Sequence, residues 1–335
     1  MSSHGPRLLL QAAPFLHGTL TTPKLMREVV LATVPVIAAA AWFFGITALL
    51  VVAATTAGAV ATERWLGRGA RGASLRDNSA LLTGILLALT LPPSIPLWMA
   101  FLGGAFGIAA GKLAFGGLGH NLFNPALVGR AFLQAAFPTA LTTWIPPGGG
   151  FFALHASTFA WPMMRAPVDG ITGPTPLSRL EFEHVATEFA PLLIGDVAGS
   201  LGETSAVVLL LCGLWLGLRR AFDWRIPVAV LGSVLVCSTA LWAIDPARYA
   251  TPWFTLASGG LLFGTVFMAT DPVSSPVTPR GAWSFGVGIG VLVVLIRTWG
   301  GLQEGVMYAI LLMNAATPLI ERVAQPRAFG RRKTA

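Results

Sequence analysis

Long apolar runs alternate with short polar breaks along almost the whole chain, and their lengths predict helices. Met26 to Thr62 is one apolar region, too long for a single membrane crossing, and Gly45 near its middle divides it into two helices. Ser79 to Leu91 is apolar but short. It stops at LPPSIP, where adjacent prolines remove backbone donors and force the chain to turn. Leu97 to Phe115 makes the next span, and GGLGHNLFNPALVGRAFLQAAF then breaks and re-enters a helix. Beyond a long polar insertion, apolar runs resume at Ala206–Leu218, Pro227–Ile244, Phe254–Ala269, Trp283–Ile296 and Gly305–Ile320. The runs are continuously apolar, without the alternation of a membrane β-barrel. The expected fold is all-α: a polytopic integral membrane protein of about ten transmembrane helices.

Composition agrees with that reading. Of 335 residues, 54% are hydrophobic and 11% charged, and mean hydropathy is +0.71. Soluble proteins carry about 25% charged residues. The formal charge of +8 has a simple cause, because basic residues gather in cytoplasmic loops. With ten spans and both termini inside, the basic loops 64–76, 219–225 and 322–333 all fall on the cytoplasmic side. The segment 139–203 carries six acids against Arg165 and Arg179, and falls outside. The organisation is then a cytoplasmic segment 1–25, a first membrane half 26–138, an outer loop 139–203, a second half 204–321 and a basic tail 322–335. The partner implied by composition is membrane lipid, not nucleic acid. The first 25 residues lack a cleavable signal peptide's apolar core and cleavage site. Cys212 and Cys237 lie inside apolar runs as packing residues, and the five histidines form no ligand cluster. No metal site, Walker A loop or dinucleotide fingerprint is present.

Polar groups inside these runs carry the candidate chemistry. DNSALLTGILLAL from Asp77 and GETSAVVLLLCGL from Gly202 share an acid-x-Ser-Ala start, and in this topology the two helices run oppositely. That relation is an inverted repeat of two five-helix halves. Helix breaks survive in hydrocarbon only where protein or a cavity covers them. Two such breaks are prominent: GHNLFNPALVGR, with Asn121 and Asn124, and FMATDPVSSPVTPR, with Thr270 and Asp271. Both set Asn or Asp before Pro, as a plain helix cap does. The functional reading is that the broken ends converge on a polar ligand or an ion. Asp77, Glu203 and Glu304 lie at helix ends, and for Glu304 a favourable helix-dipole contact is the preferred account. Trp42, Trp65, Trp98, Trp144, Trp161 and Trp253 mostly flank spans, as an interfacial belt does.

The polar insertion contains VDGITGPTPLSRL, residues 168–180. By spacing alone, TGPTP is a turn. Together, however, GHNLFNPALVGRAFL, GSLGETS, FMATDPVSSPVTPRG and EGVMYAILLMNAATPLIER resemble the RnfD/NqrB family of membrane subunits of Rnf and Na+-translocating NADH:quinone reductase complexes. The resemblance covers nearly the whole chain, and its length is nearer the RnfD branch. It implies a ten-helix protein carrying flavin mononucleotide (FMN), joined covalently through its phosphate to a threonine. The family's attachment motif, Asp-x-x-Ser/Thr-Gly-x-Thr, falls on Asp169, Thr172, Gly173 and Thr175, with Thr175 as acceptor. Pro174 stands where the family usually has Ala. An acceptor hydroxyl is expected to be exposed to a transferase, which suits an outer Gly/Pro-rich loop.

The resemblance further implies that Asn121 and Asn124 contact a non-covalent riboflavin near the cytoplasmic side, with Thr270 and Asp271 lining that region or an ion path. The implied function is electron relay between ferredoxin and NAD couples, linked to Na+ or H+ movement across the bacterial inner membrane, without stand-alone catalysis. The implied partners are other Rnf subunits, among them an FMN-bearing G-type and an NADH-side C-type subunit, and a flavin transferase. An NqrB-type subunit is the near alternative. A channel or secondary transporter without flavin is the distant one.

Overall fold

The computed structural model describes residues 21–67, 75–148, 150–152, 154, 156–162, 173–180, 187, 189–203, 205–246, 248–300 and 304–325. All regular structure among the described residues is helical. The first half comprises α1 (Thr22–Phe44), α2 (Ile46–Leu66), α3 (Ser79–Leu89), α4 (Leu97–Gly111) and α5 (Pro125–Ala136). The second comprises α6 (Ala206–Leu218), α7 (Arg225–Ile244), α8 (Pro252–Ala257), α9 (Leu261–Phe263), α10 (Pro279–Trp299) and α11 (Val306–Ala324). A π-helical turn, Gly264–Met268, continues α9 directly. Helices α1, α2, α7, α10 and α11, and α4 with the turn that extends it to Phe115, are long and apolar enough to cross a membrane. The protein is therefore a polytopic membrane protein, with the remaining apolar helices shorter.

Each apolar run of the sequence became helix. Gly45 ends α1 and starts α2 with φ 68°, a left-handed conformation that favours glycine. It also lies so close to Phe151 that a Cβ would come within 2.5 Å of the Phe151 carbonyl oxygen, which accepts the Ile46 N–H at 2.8 Å.

The short helices carry the architecture. At eleven residues α3 is about 16 Å long, roughly half of a ~30 Å hydrocarbon core. It is buried along almost its whole length, as are α9 and its π turn. A segment that ends inside the membrane must be covered by protein, because its free carbonyls have no water to bond. These two segments also match each other. LLTGILLALTLPPSIP (81–96) and LLFGTVFMATDPVSSP (261–276) share Leu81/Leu261, Leu82/Leu262, Gly84/Gly264, Thr90/Thr270, Pro92/Pro272, Ser94/Ser274 and Pro96/Pro276. The start of α3 (Ser79, Leu82) lines one cleft with the end of the π turn (Val266, Phe267) and Thr270. Thr90, just past the other end of α3, lines a second cleft with Gly260 and Phe263. The two matching segments therefore run antiparallel, the relation of an inverted repeat. This pair is longer than the one at Asp77 and Gly202. The α6 stretch also opposes α3: Leu216 at its end faces the start of α3, and Leu201 ahead of it donates to the Leu91 carbonyl at 3.1 Å.

Glycines let the helices approach closely. A Cβ on Gly129 of α5 would sit 2.6 Å from the Gly103 oxygen of α4 and 2.8 Å from Leu87 Cδ2 of α3. Small residues at helix crossings permit this packing in membranes. Gly129→Val is expected to push α4 and α5 apart and destabilise the fold by about 1–3 kcal/mol, the usual range for overpacking. A melting curve of the detergent-purified variant that overlays wild type would refute that contact.

Candidate functional site

At one end of the bundle, Asn121, Asn124, Thr270 and Asp271 line a common cleft with Ser79 and Lys112. Most of their polar atoms are already engaged. Asn124 caps α5: its Oδ1 accepts the Ala126 N–H at 3.0 Å, and its Nδ2 donates to the Met268 carbonyl at 3.3 Å. That contact satisfies a carbonyl freed where the π turn ends. Asn314, with its amide turned to satisfy both ends, accepts the Asn124 N–H at 3.2 Å and donates to the Ser274 carbonyl at 3.3 Å. Thr270 Oγ1 donates back to the Val266 carbonyl at 2.6 Å. The Asp271 carboxylate accepts from Ser274 Oγ at 2.8 Å and from the Val273 N–H at 3.3 Å. Capping therefore accounts for Asn124, Thr270 and Asp271. Asn121 differs: its Nδ2 donates to the Phe123 carbonyl at 3.1 Å, while its buried Oδ1 has no partner. An orphan acceptor suits an N–H donor of a ligand, but the free volume here is about 60 Å³, well below the 300–1,000 Å³ of small-molecule sites. Riboflavin does not fit this cleft as it stands.

Beside that cleft lies a buried ionic network. Lys112 is 1% exposed, and its Nζ donates to Glu63 Oε1 and to Ser79 Oγ, each at 2.6 Å. Ser79 Oγ in turn donates to Asp77 Oδ1 at 2.6 Å, tying α2, α4 and the entry to α3 together.

The opposite end holds a second charged cluster. Arg130 of α5 donates through Nη1 to the Thr90 carbonyl, freed at the end of α3, and through Nη2 to Glu304 Oε2 at 2.6 Å. Glu304 is thus an ion-pair partner ahead of α11, and not the helix-dipole contact that the sequence predicts. Glu203, in the turn leading to α6, lines the same cleft with Ser200 and Gly260. Arg297 of α10 stands nearby. Its Nη1 and Nη2 donate to the carbonyls of Thr255 (2.9 Å) and Ser258 (3.0 Å), while its Nε is buried without a partner.

Thr175 belongs to this second end. Gly173 is pinned by its N–H to the Trp144 carbonyl at 3.0 Å. Thr175 caps the turn Pro176–Ser178, its Oγ1 lying 3.2 Å from the Ser178 N–H and 3.0 Å from Ser178 Oγ. Leu177 packs at Gly259, where Arg297 also arrives. Asp169 and Thr172 lie outside the described residues. The expected exposure of the hydroxyl is not what the structure has: Thr175 is 6% exposed, folded back onto Ser178 in a turn held against Trp144 and Gly259. The Ser178 N–H at Oγ1 is a donor that would favour the oxygens of a phosphoester, while the Ser178 hydroxyl is already given to the Thr175 carbonyl at 3.0 Å.

The residues that the sequence reading passed over are cations: Lys112, Arg130 and Arg297. Each lies within or at the end of an apolar run, and an ionisable residue there is a functional candidate by default. Their partners lie far away in sequence, so carboxylates at helix ends look self-sufficient when read without them.

Comparison with known proteins places these features in a wider group. The family described as NQR2, RnfD, RnfE matches residues 9–330. The chain is similar to a D-type subunit of an ion-translocating oxidoreductase complex from Stutzerimonas stutzeri, 43% identical over 330 residues, which is 92% of each chain. It is also similar to proteins of the same description from Shigella sonnei (38% identical over 97% of this chain and 99% of the relative) and Escherichia coli strain SE11 (37% identical, same coverage).

Proposed function

Because the chain belongs to the NQR2, RnfD, RnfE family, and its relatives are subunits of ion-translocating oxidoreductase complexes, we propose that it is the flavin-bearing D-type membrane subunit of an Rnf complex. In this role it carries FMN on Thr175 and passes electrons between partner subunits of the ferredoxin/NAD pathway, coupled to Na+ or H+ transport. The observation that carries the flavin reading is the fixed seat of Thr175. Gly173 is tied to Trp144, Thr175 caps its turn, and Leu177 rests on Gly259. The acceptor hydroxyl is therefore held against the bundle, not at the tip of a free loop. Bound there, a flavin supplies one- and two-electron transfer. The chain's part is to hold the phosphoester at the Ser178 N–H. In this topology the Thr175 end is the outer face of the cytoplasmic membrane, and the Asn121 cleft faces inward.

A second reading, a channel or secondary transporter, draws on the inverted repeat with its two broken segments. One experiment separates the two. The full chain is co-expressed with a flavin transferase, and the denatured band is examined for fluorescence on a gel. Wild type is expected to fluoresce, with Thr175→Val dark and Ser178→Ala still bright. A dark wild-type band would remove the flavin reading and leave the transporter.

A further inference from the structure

Arg297 raises a question that helix packing does not answer. Its guanidinium has five N–H donors and a full charge, yet among the described residues no carboxylate lies within ion-pair distance of it. Glu203 and Glu304 act on it electrostatically from beyond contact, and Glu304 is already paired with Arg130. Arg297 is half-buried, and a partly desolvated charge is normally paired with an opposite one. Two donors go to backbone carbonyls of α8 and the residue after it, which orients the group and leaves Nε buried and unused.

The group lines a cleft of about 330 Å³ between α7, α8 and α10. Unlike the clefts at Asn121 and at Arg130, this one reaches the volume range of small-molecule sites. Its walls are Leu241 of α7, Phe254 of α8 and Val294 of α10, with Tyr249 and Arg248 in the connection between α7 and α8. The remaining wall comes from the acceptor segment itself, through Leu177 and Leu180. A Cβ on Gly259 would meet Leu177 Cδ1 at 2.8 Å and Arg297 Nη2 at 3.0 Å, so the acceptor's own turn and the arginine converge on one point.

Resting on the reading of Thr175 as flavin acceptor, we propose that this cleft receives the isoalloxazine ring, and that Arg297 is the counter-charge of the phosphodiester. The diester carries one negative charge and arrives two residues from Leu177. Arginine meets phosphate oxygens with directed N–H donors, and beyond the two given to the Thr255 and Ser258 carbonyls three of its five N–H donors remain. The apolar walls of α7 and α10 suit the flat ring, and Tyr249 offers an aromatic neighbour. Arg297 is a positioning residue here: it holds the cofactor's charge and takes no part in electron transfer.

The test uses the full chain, co-expressed with the transferase and purified in lipid nanodiscs, with two readouts. Gel fluorescence of the denatured band reports covalent flavin. Iodide quenching of the folded protein reports how far the ring is open to solvent. Wild type and Arg297→Lys are expected to be shielded, with a quenching slope severalfold below that of free FMN. Arg297→Gln and the cleft-filling Leu241→Trp should raise the slope severalfold while the denatured band stays as bright as wild type. A wild-type slope equal to that of free FMN would overturn the proposal, as would Leu241→Trp and Arg297→Gln slopes equal to wild type. If Arg297→Gln fails to fold, Leu241→Trp decides alone. A dark wild-type band overturns the acceptor reading itself, and the cleft assignment falls with it.

Discussion

Lys112→Met is expected to be among the most damaging single substitutions in the membrane core. The ammonium is 1% exposed and holds Glu63, also 1% exposed, at 2.6 Å. Deleting it removes the Lys112 ammonium from the Glu63 carboxylate in a low-dielectric interior. Breaking a buried pair from one side destabilises by about 3–5 kcal/mol, mostly through the abandoned charge. The substitution also removes a donor to Ser79 Oγ, which links the pair to Asp77 at the start of α3. The double variant Lys112→Met/Glu63→Met should recover most of the loss, because an apolar pair of similar size needs no counter-ion. Melting temperatures of detergent-purified protein, followed by size-exclusion recovery after heating, measure both. A single variant that melts like wild type, or a double variant no better than the single, would contradict the pairing.

Arg130→Gln ranks beside it for a different reason. Arg130 answers two demands at once: the Thr90 carbonyl left open where α3 stops, and the Glu304 carboxylate ahead of α11. Its side chain is 10% exposed and that of Glu304 is 19% exposed, so water replaces neither contact well. Glutamine is too short and carries no charge, so Glu304 loses its ion-pair partner in the cleft it shares with Glu203. The expected loss is again about 3–5 kcal/mol. Lysine should rescue only part of it, since a single ammonium does not reproduce two directed contacts from a planar fork. Adding Glu304→Gln should restore part of the stability by removing the stranded charge. If Arg130→Gln/Glu304→Gln proves less stable than Arg130→Gln alone, the pair is not what holds this end together.

Helix placement was largely legible in the sequence, because apolar run length and Gly/Pro punctuation act locally. Gly45 divided the first region where the structure divides it, and the Pro92–Pro93 turn ends α3. The breaks at Asn124 and Asp271 were also visible, since Asn-Pro and Asp-Pro leave a clear signature. What those amides and carboxylates bond to was not. Asn124 reaches Met268, 144 positions away, and Arg130 reaches Glu304 across 174. No local pattern encodes such pairings, so capping, ligand binding and ion pairing look alike in one dimension. The α3/α9 repeat was readable, but its Thr-x-Pro-x-Ser-x-Pro core lies past the apolar runs, where a comparison of helix starts does not look. The burial of Thr175 was hidden for a related reason. A Gly/Pro-rich loop predicts a turn, and only tertiary contact with Trp144 and Gly259 turns that loop into a seat.

The direct test of the account is the mass of the proteolytic peptide that contains Thr175, taken from the full chain co-expressed with a flavin transferase. The account predicts a peptide heavier by FMN less one water, with fragmentation placing the added mass on Thr175. An unmodified peptide, or an adduct on Thr172, would contradict it.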